Sequence, residues 1–156
     1  MLHLIPAPLH RLALKIGYKL QQRMRRTTGT ARDGVSVIGR DIDGQILVVR
    51  HSYGPEGWYF PGGGIKSGES PEDAAKRELM EETGCEIVGL RLVGMVEEEL
   101  SGASHKAHLF EGVIEDMPKA DGREIIEARM FPTHSLPEPL APTTRLRLKM
   151  WQARKS

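Results

Sequence analysis

Three glutamates, Glu78, Glu81 and Glu82, fall within one turn of a predicted helix that begins shortly after a glycine run, Gly62-Gly63-Gly64. At about 100° per residue they share one stripe, while Ala75, Leu79 and Thr83 form an adjoining stripe suited to packing on a sheet. Like charges at i,i+3 and i,i+4 cost roughly a few tenths of a kcal/mol per pair, and anions near a helix C-terminus meet the negative end of its dipole. Arg77 can offset part of this by pairing with Asp73 or Glu81, but one guanidinium cannot neutralise three carboxylates. A hard divalent cation with oxygen ligands can. The run E-L-M-E-E alone also describes a solvated, glutamate-rich helix end. Glu69 and the glycine run, at fixed offsets upstream, favour the metal reading.

The helix itself is well signalled. Ser70 suits the N-cap, Pro71 the first helical position, Glu72 and Asp73 the positive end, and Gly84 the stop, which predicts a helix from Pro71 to Thr83. Before it, Val35, Val37 and Ile46 to Val49 read as a hairpin around the Asp43-Gly44 turn signal. Arg50 to Gly57 is a loop, Trp58 to Phe60 a short aromatic strand, and Pro61 to Gly64 a glycine-rich loop leading into the helix. Ile87 to Val96, Lys106 to Ile114 and Ile125 to Phe131 read as further strands. A proline-rich loop from Pro132 to Pro142 precedes a closing helix over Thr143 to Ala153. These elements make an α/β domain, a mixed sheet covered by helices.

The 23 residues GGIKSGESPEDAAKRELMEETGC, starting at Gly63, resemble the Nudix box of the Nudix (MutT-type) hydrolases, G-x5-E-x7-R-E-U-x-E-E-x-G-U with U apolar. Every fixed position matches, and the last U is Cys85, a small buried hydrophobe in place of the usual aliphatic residue. Flanking W-Y-F-P-G-G and E-A-R-M-F-P extend the likeness over roughly Thr30 to Leu148. The resemblance implies a Nudix-type α/β/α sandwich over residues 30–156. It also implies an enzyme acting on phosphoric anhydride bonds, with Glu78 and Glu82 as metal ligands and Glu81 as a ligand or water-mediated ligand. Arg77 would orient a glutamate, Glu69 would support the loop, and Gly63 would keep the backbone close to phosphate or metal. Mg2+ is the expected cofactor, and Mn2+ would satisfy the same ligands.

A phosphoanhydride resists attack because its negative oxygens repel a nucleophile, and divalent ions remove that repulsion. The expected substrate is a nucleotide-like small molecule, a nucleoside diphosphate linked to another moiety. Gly62, Gly63, Gly64 and Glu69 would face its phosphates, and Arg50 and Tyr53, with His51, Trp58 and Tyr59, could contact the remainder. Glu78 is the first candidate for the general base. Glu124 and Glu127 are later acids of which one could approach the metals. Glu97 to Glu99 read as a solvated strand end, and His105 and His108, three apart in a strand, as structural residues on opposite faces. The longer motifs associated with the family's coenzyme A and NADH hydrolases are absent. Two alternatives stand beside the hydrolase of small molecules: a non-catalytic module that senses or binds a nucleotide, and a hydrolase of nucleic-acid 5′ ends. The intact acidic set weighs against the first.

Composition bounds the rest. The chain has 156 residues, 39% hydrophobic, with net charge +1, a length suited to one core. No apolar run approaches the roughly 18 residues of a membrane span. A single cysteine excludes an intrachain disulfide framework and is compatible with a cytoplasmic location. Charge is uneven: residues 1–32 hold seven of the 22 Lys and Arg residues and none of the 21 acids, so the remainder is acidic. Residues 1–29 read as a basic amphipathic helix, with Leu9, Leu12, Ile16, Leu20 and Met24 on one face and Arg11, Lys15, Lys19 and Arg26 on the other. Docking on its own domain or on a second subunit, as in a homodimer, is favoured over contact with a membrane surface or nucleic acid.

Overall fold

The computed structural model describes residues 33–100 and 102–155. The basic amphipathic helix expected over residues 1–29 lies outside them. Strands β1 (Gly34–Arg40), β2 (Ile46–His51) and β3 (Gly62–Gly64) precede helix α1 (Pro71–Thr83). Strands β4 (Val88–Leu100), β5 (Ala103–Val113) and β6 (Ile125–Phe131) follow, and helix α2 (Pro142–Lys155) closes the order. The sheet runs β4-β5-β1-β2-β6, with β3 paired to β1 off this path. It is mixed, since β1 lies parallel to β5 while its pairings with β2 and β3 are antiparallel.

One helix covers each face. Beneath α1, Ala74, Ala75 and Leu79 pack with Val35, Val37, Leu47, Ile87, Phe110 and Ile114. Beneath α2, Trp151 packs with Ile38, Ile46, Val48, Trp58, Phe60 and Leu109. Adjacent residues of β1 and β2 thus alternate between the two cores, as the pleat requires. Neither helix is long and apolar enough to cross a membrane. Glu111, 2% exposed, joins the α2 layer to β4 by accepting from Trp151 Nε1 and pairing with Arg91. Replacing it with alanine removes the bonds to Trp151 and Arg91 at a buried position, and chemical denaturation of E111A should show a loss of about 2 kcal/mol.

The glycine run departs from the expected loop: it is strand β3, with Gly62 opposite Ser36 and Gly63 opposite Val35. A Cβ on Gly62 would meet the Val35 carbonyl oxygen at 2.0 Å, so only glycine permits this approach. The aromatic segment before it makes only the isolated bridges Val49–Tyr59 and Trp58–Leu140. Strand β4 runs past the expected end at Val96, through Glu97 to Glu99, and pairs with β5 in register up to Leu100 opposite Ala103.

Candidate active site

Helix α1 has the bounds that its cap residues imply. The Ser70 side chain accepts from the Asp73 amide at 3.1 Å, and Gly84 closes the helix at φ 72°, donating to Met80 O. Its C-terminal half carries the acids past β3. Glu82, expected on an open carboxylate stripe, is only 4% exposed, and its Oε2 accepts from the Gly62 amide at 3.3 Å. Glu78 lies over Gly63, where an added Cβ would come within 2.4 Å of its Oε1. The glycine therefore makes room for a carboxylate. Glu81 is the open member, its side chain 55% exposed.

Of the two pairings expected for Arg77, the one with Glu81 forms and the one with Asp73 does not, and Glu69, Glu78 and the Gly64 carbonyl join it. Its Nε donates to Glu69 Oε2 at 2.7 Å, Nη2 to Glu69 Oε1 and to the Gly64 carbonyl, both at 2.9 Å, and Nη1 to Glu78 at 2.9 Å and Glu81 at 3.3 Å. Glu69 also accepts from the Lys66 amide. One fork thus ties loop, strand and helix together. Hydrogen bonding to Arg77 and then to the Lys66 amide holds the Glu69 carboxyl down at about 2. That contribution is present above the unfolded value near 4.5 and is lost as pH falls toward 2.

The inner acids have the opposite bias. Burial pushes Glu82 well above the ordinary range, and the neighbouring Glu78, Glu124 and Asp121 charges add to it. Burial likewise raises Glu78, with Arg77 opposing and Glu81 and Glu124 adding. Among the described residues no three acids form a ready-made ligand shell, because Arg77 holds Glu78 and Glu81 points outward. The donors nevertheless fit a hard cation: Mg2+ takes one or two carboxylates and fills its remaining positions with water and substrate phosphate. Glu78 and Glu82 could hold it, with Glu81 through water.

These residues line a cleft of about 740 Å3. Gly62, Gly63 and Gly64 form its floor beside the acids, and Tyr53, Tyr59 and Glu124 also border it. Four expected residues lie outside its lining: Glu69, which is held by Arg77 and the Lys66 amide, and Arg50, Trp58 and Glu127. Arg50 pairs with Glu127 at 2.9 Å and lies 5.5 Å over the Trp58 ring, at a smaller cavity of about 310 Å3. Their ion pair bridges β2 and β6, where the two residues are in register, so of the two late acids only Glu124 reaches the cleft. His51 borders both cavities, packs edge-on against Tyr59, and is pushed down by burial against the raising effect of Asp121.

The far wall was not legible as a site. Glu98, expected to be solvated, pairs with Arg147 of α2, and both line the cleft with His105, which stands opposite Glu98 in the β4–β5 register. His108 has its Nδ1 3.3 Å from the Gly34 carbonyl and stacks on Phe110.

The model of the NUDIX domain matches residues 30–152. The chain belongs to the Nudix family. Among solved structures, the Nudix chain resembles a MutT Nudix hydrolase from Burkholderia pseudomallei, 26% identical with TM-score 0.70, over 76% of this chain and 96% of that one. A Bacillus subtilis pyrophosphohydrolase is 27% identical with TM-score 0.63, over 79% and 82%. An RNA pyrophosphohydrolase of Saccharophagus degradans is 41% identical over 66 residues, which is 42% of this chain and 39% of that relative. The match thus spans about two fifths of the curated relative's length.

Proposed function

We propose that this Nudix chain is a metal-dependent pyrophosphohydrolase that cleaves a nucleoside diphosphate linked to a further moiety, releasing a nucleoside monophosphate and the phosphorylated remainder. The observation that carries this reading is Glu82, a carboxylate buried against the Gly62 amide beside Glu78 and at the floor of an open cleft. Buried unpaired carboxylates cost stability, and a cation-bound phosphate substrate gives them a use. Mg2+ is the expected ion, with Mn2+ as a substitute. When bound, it neutralises phosphate oxygens and makes an attending water more acidic.

The protein's own groups do the remaining work. Glu78 and Glu82 would hold the ion, and Glu81 would support it through water. Arg77 positions Glu78 and, through Gly64 and Glu69, the strand that lies under the phosphates. Glu78 is the first candidate to take the proton of the attacking water, and Glu124 is the second. Water oxygen adds to one phosphorus, the bridging oxygen leaves with the other, and the two products part. Tyr53 and Tyr59 border the moiety beyond the diphosphate.

The names of the curated relatives favour a second reading with the same chemistry, removal of diphosphate from a nucleic-acid 5′ end. One panel tests both: nucleoside triphosphates, nucleotide sugars, dinucleotides and a 5′-triphosphorylated oligonucleotide, each incubated with Mg2+. Release of nucleoside monophosphate that EDTA abolishes is the expected result, and a 5′-monophosphate oligonucleotide as the preferred product would select the second reading. Absence of cleavage of every member would leave the binding-module alternative in place and overturn the proposal.

A further inference from the structure

The cleft continues from the acids to a wall made by Glu98 of β4, His105 of β5 and Arg147 of α2. Arg147 is 8% exposed, Nη2 pairs with Glu98, and Nε is buried without a hydrogen-bond partner among the described residues. A buried ion pair is weak evidence for stability, since desolvation offsets the attraction. A buried N–H left unpaired costs more still. Both features lie on a cavity wall rather than in either apolar core.

Arg147 is neutralised by Glu98, so this wall offers directed hydrogen bonds with little net charge. A phosphate needs uncompensated positive charge and finds none there. A neutral planar group with an N–H donor beside an acceptor meets a carboxylate that accepts and a guanidinium that donates. Nucleobase edges are such groups. We infer that Glu98 and Arg147 form the nucleobase subsite of this cleft, reading the base edge while the α1 carboxylates handle the diphosphate. The inference rests on the proposed reading of the cleft and names its specificity-determining residues.

Equilibrium binding separates this inference from the hydrolase reading, because it does not require turnover. Calorimetry on the full chain would compare the four nucleoside monophosphates with ribose 5-phosphate, which lacks only the base. At least one nucleotide should bind about tenfold or more tightly than ribose 5-phosphate. E98Q should reduce that advantage, taken against the variant's own ribose 5-phosphate affinity, to less than about twofold. The double variant E98Q/R147Q leaves no lone buried charge, so it guards against a folding defect and should behave the same way. Equal binding of ribose 5-phosphate and all four nucleotides, or an advantage that survives in both folded variants, overturns the subsite. An inactive protein that still prefers a nucleotide, with the preference lost in E98Q, would retain the subsite and overturn only the hydrolase reading.

Discussion

E82Q should lose on the order of 100-fold or more in kcat and, without metal, should melt at a higher temperature than the natural chain. The two effects share one cause. Glu82 is buried beside Glu78 and near Glu124, so its negative charge is costly until a cation offsets it. A glutamine keeps the side-chain oxygen that accepts from Gly62 and removes the charge, while losing the proposed metal ligand would cost several kcal/mol of charge stabilisation in the reaction. The pH dependence has a definite sign. Because the folded-state pKa of Glu82 is raised, the metal-free protein should lose stability as pH climbs above about 4.5 toward that raised value. E82Q should flatten this decline, with the smaller contribution of Glu78 remaining. Melting curves from pH 4 to 8 in EDTA, beside turnover in Mg2+, read both halves. Near-normal turnover in E82Q would remove Glu82 from the metal site.

G63A is the second variant with a large expected effect. Its new methyl would come within 2.4 Å of Glu78 Oε1 and 2.5 Å of its carboxyl carbon, so the carboxylate must swing away. The displaced atoms are the far end of a flexible side chain, so folding should survive with a small change in melting temperature. Turnover should not: a misplacement near 1 Å costs about 100-fold where alignment matters. G62A supplies the contrast, because its Cβ would meet the Val35 carbonyl oxygen at 2.0 Å. That clash is with backbone, so G62A should lower stability as well as turnover. Equal thermal losses in the two variants would contradict the separate roles assigned to the two glycines.

Helix α1 was legible to the residue because its signals are local: an N-cap serine, a following proline and a closing glycine act within the helix itself. The acids were legible for the same reason, since their spacing alone places them on one turn. Strand β3 was not. Glycine carries no strand propensity, and Gly62 to Gly64 pair with β1 because the absence of a side chain lets two backbones approach. Glu98 was misread because three successive glutamates look solvated, and only the packing of α2 brings Arg147 to the middle one. Arg50 sits next to His51 in the chain, yet the register of β2 with β6 sends it to Glu127 and away from the acids. Such partners are chosen by tertiary pairing, which no local pattern encodes.

The most direct test of the proposed metal-binding role of the carboxylate cluster is the melting temperature of the natural chain and of E82Q at pH 7, titrated with Mg2+ from micromolar to millimolar concentration. An ion that binds only the folded state stabilises it progressively as its concentration passes the dissociation constant. The natural chain should rise from a lower metal-free melting temperature, while E82Q should start higher and stay nearly flat, so the two curves converge or cross. Melting temperatures for both proteins that do not respond to millimolar Mg2+ or Mn2+, with and without nucleotide, would contradict the assignment of Glu78 and Glu82 as the seat of a catalytic cation.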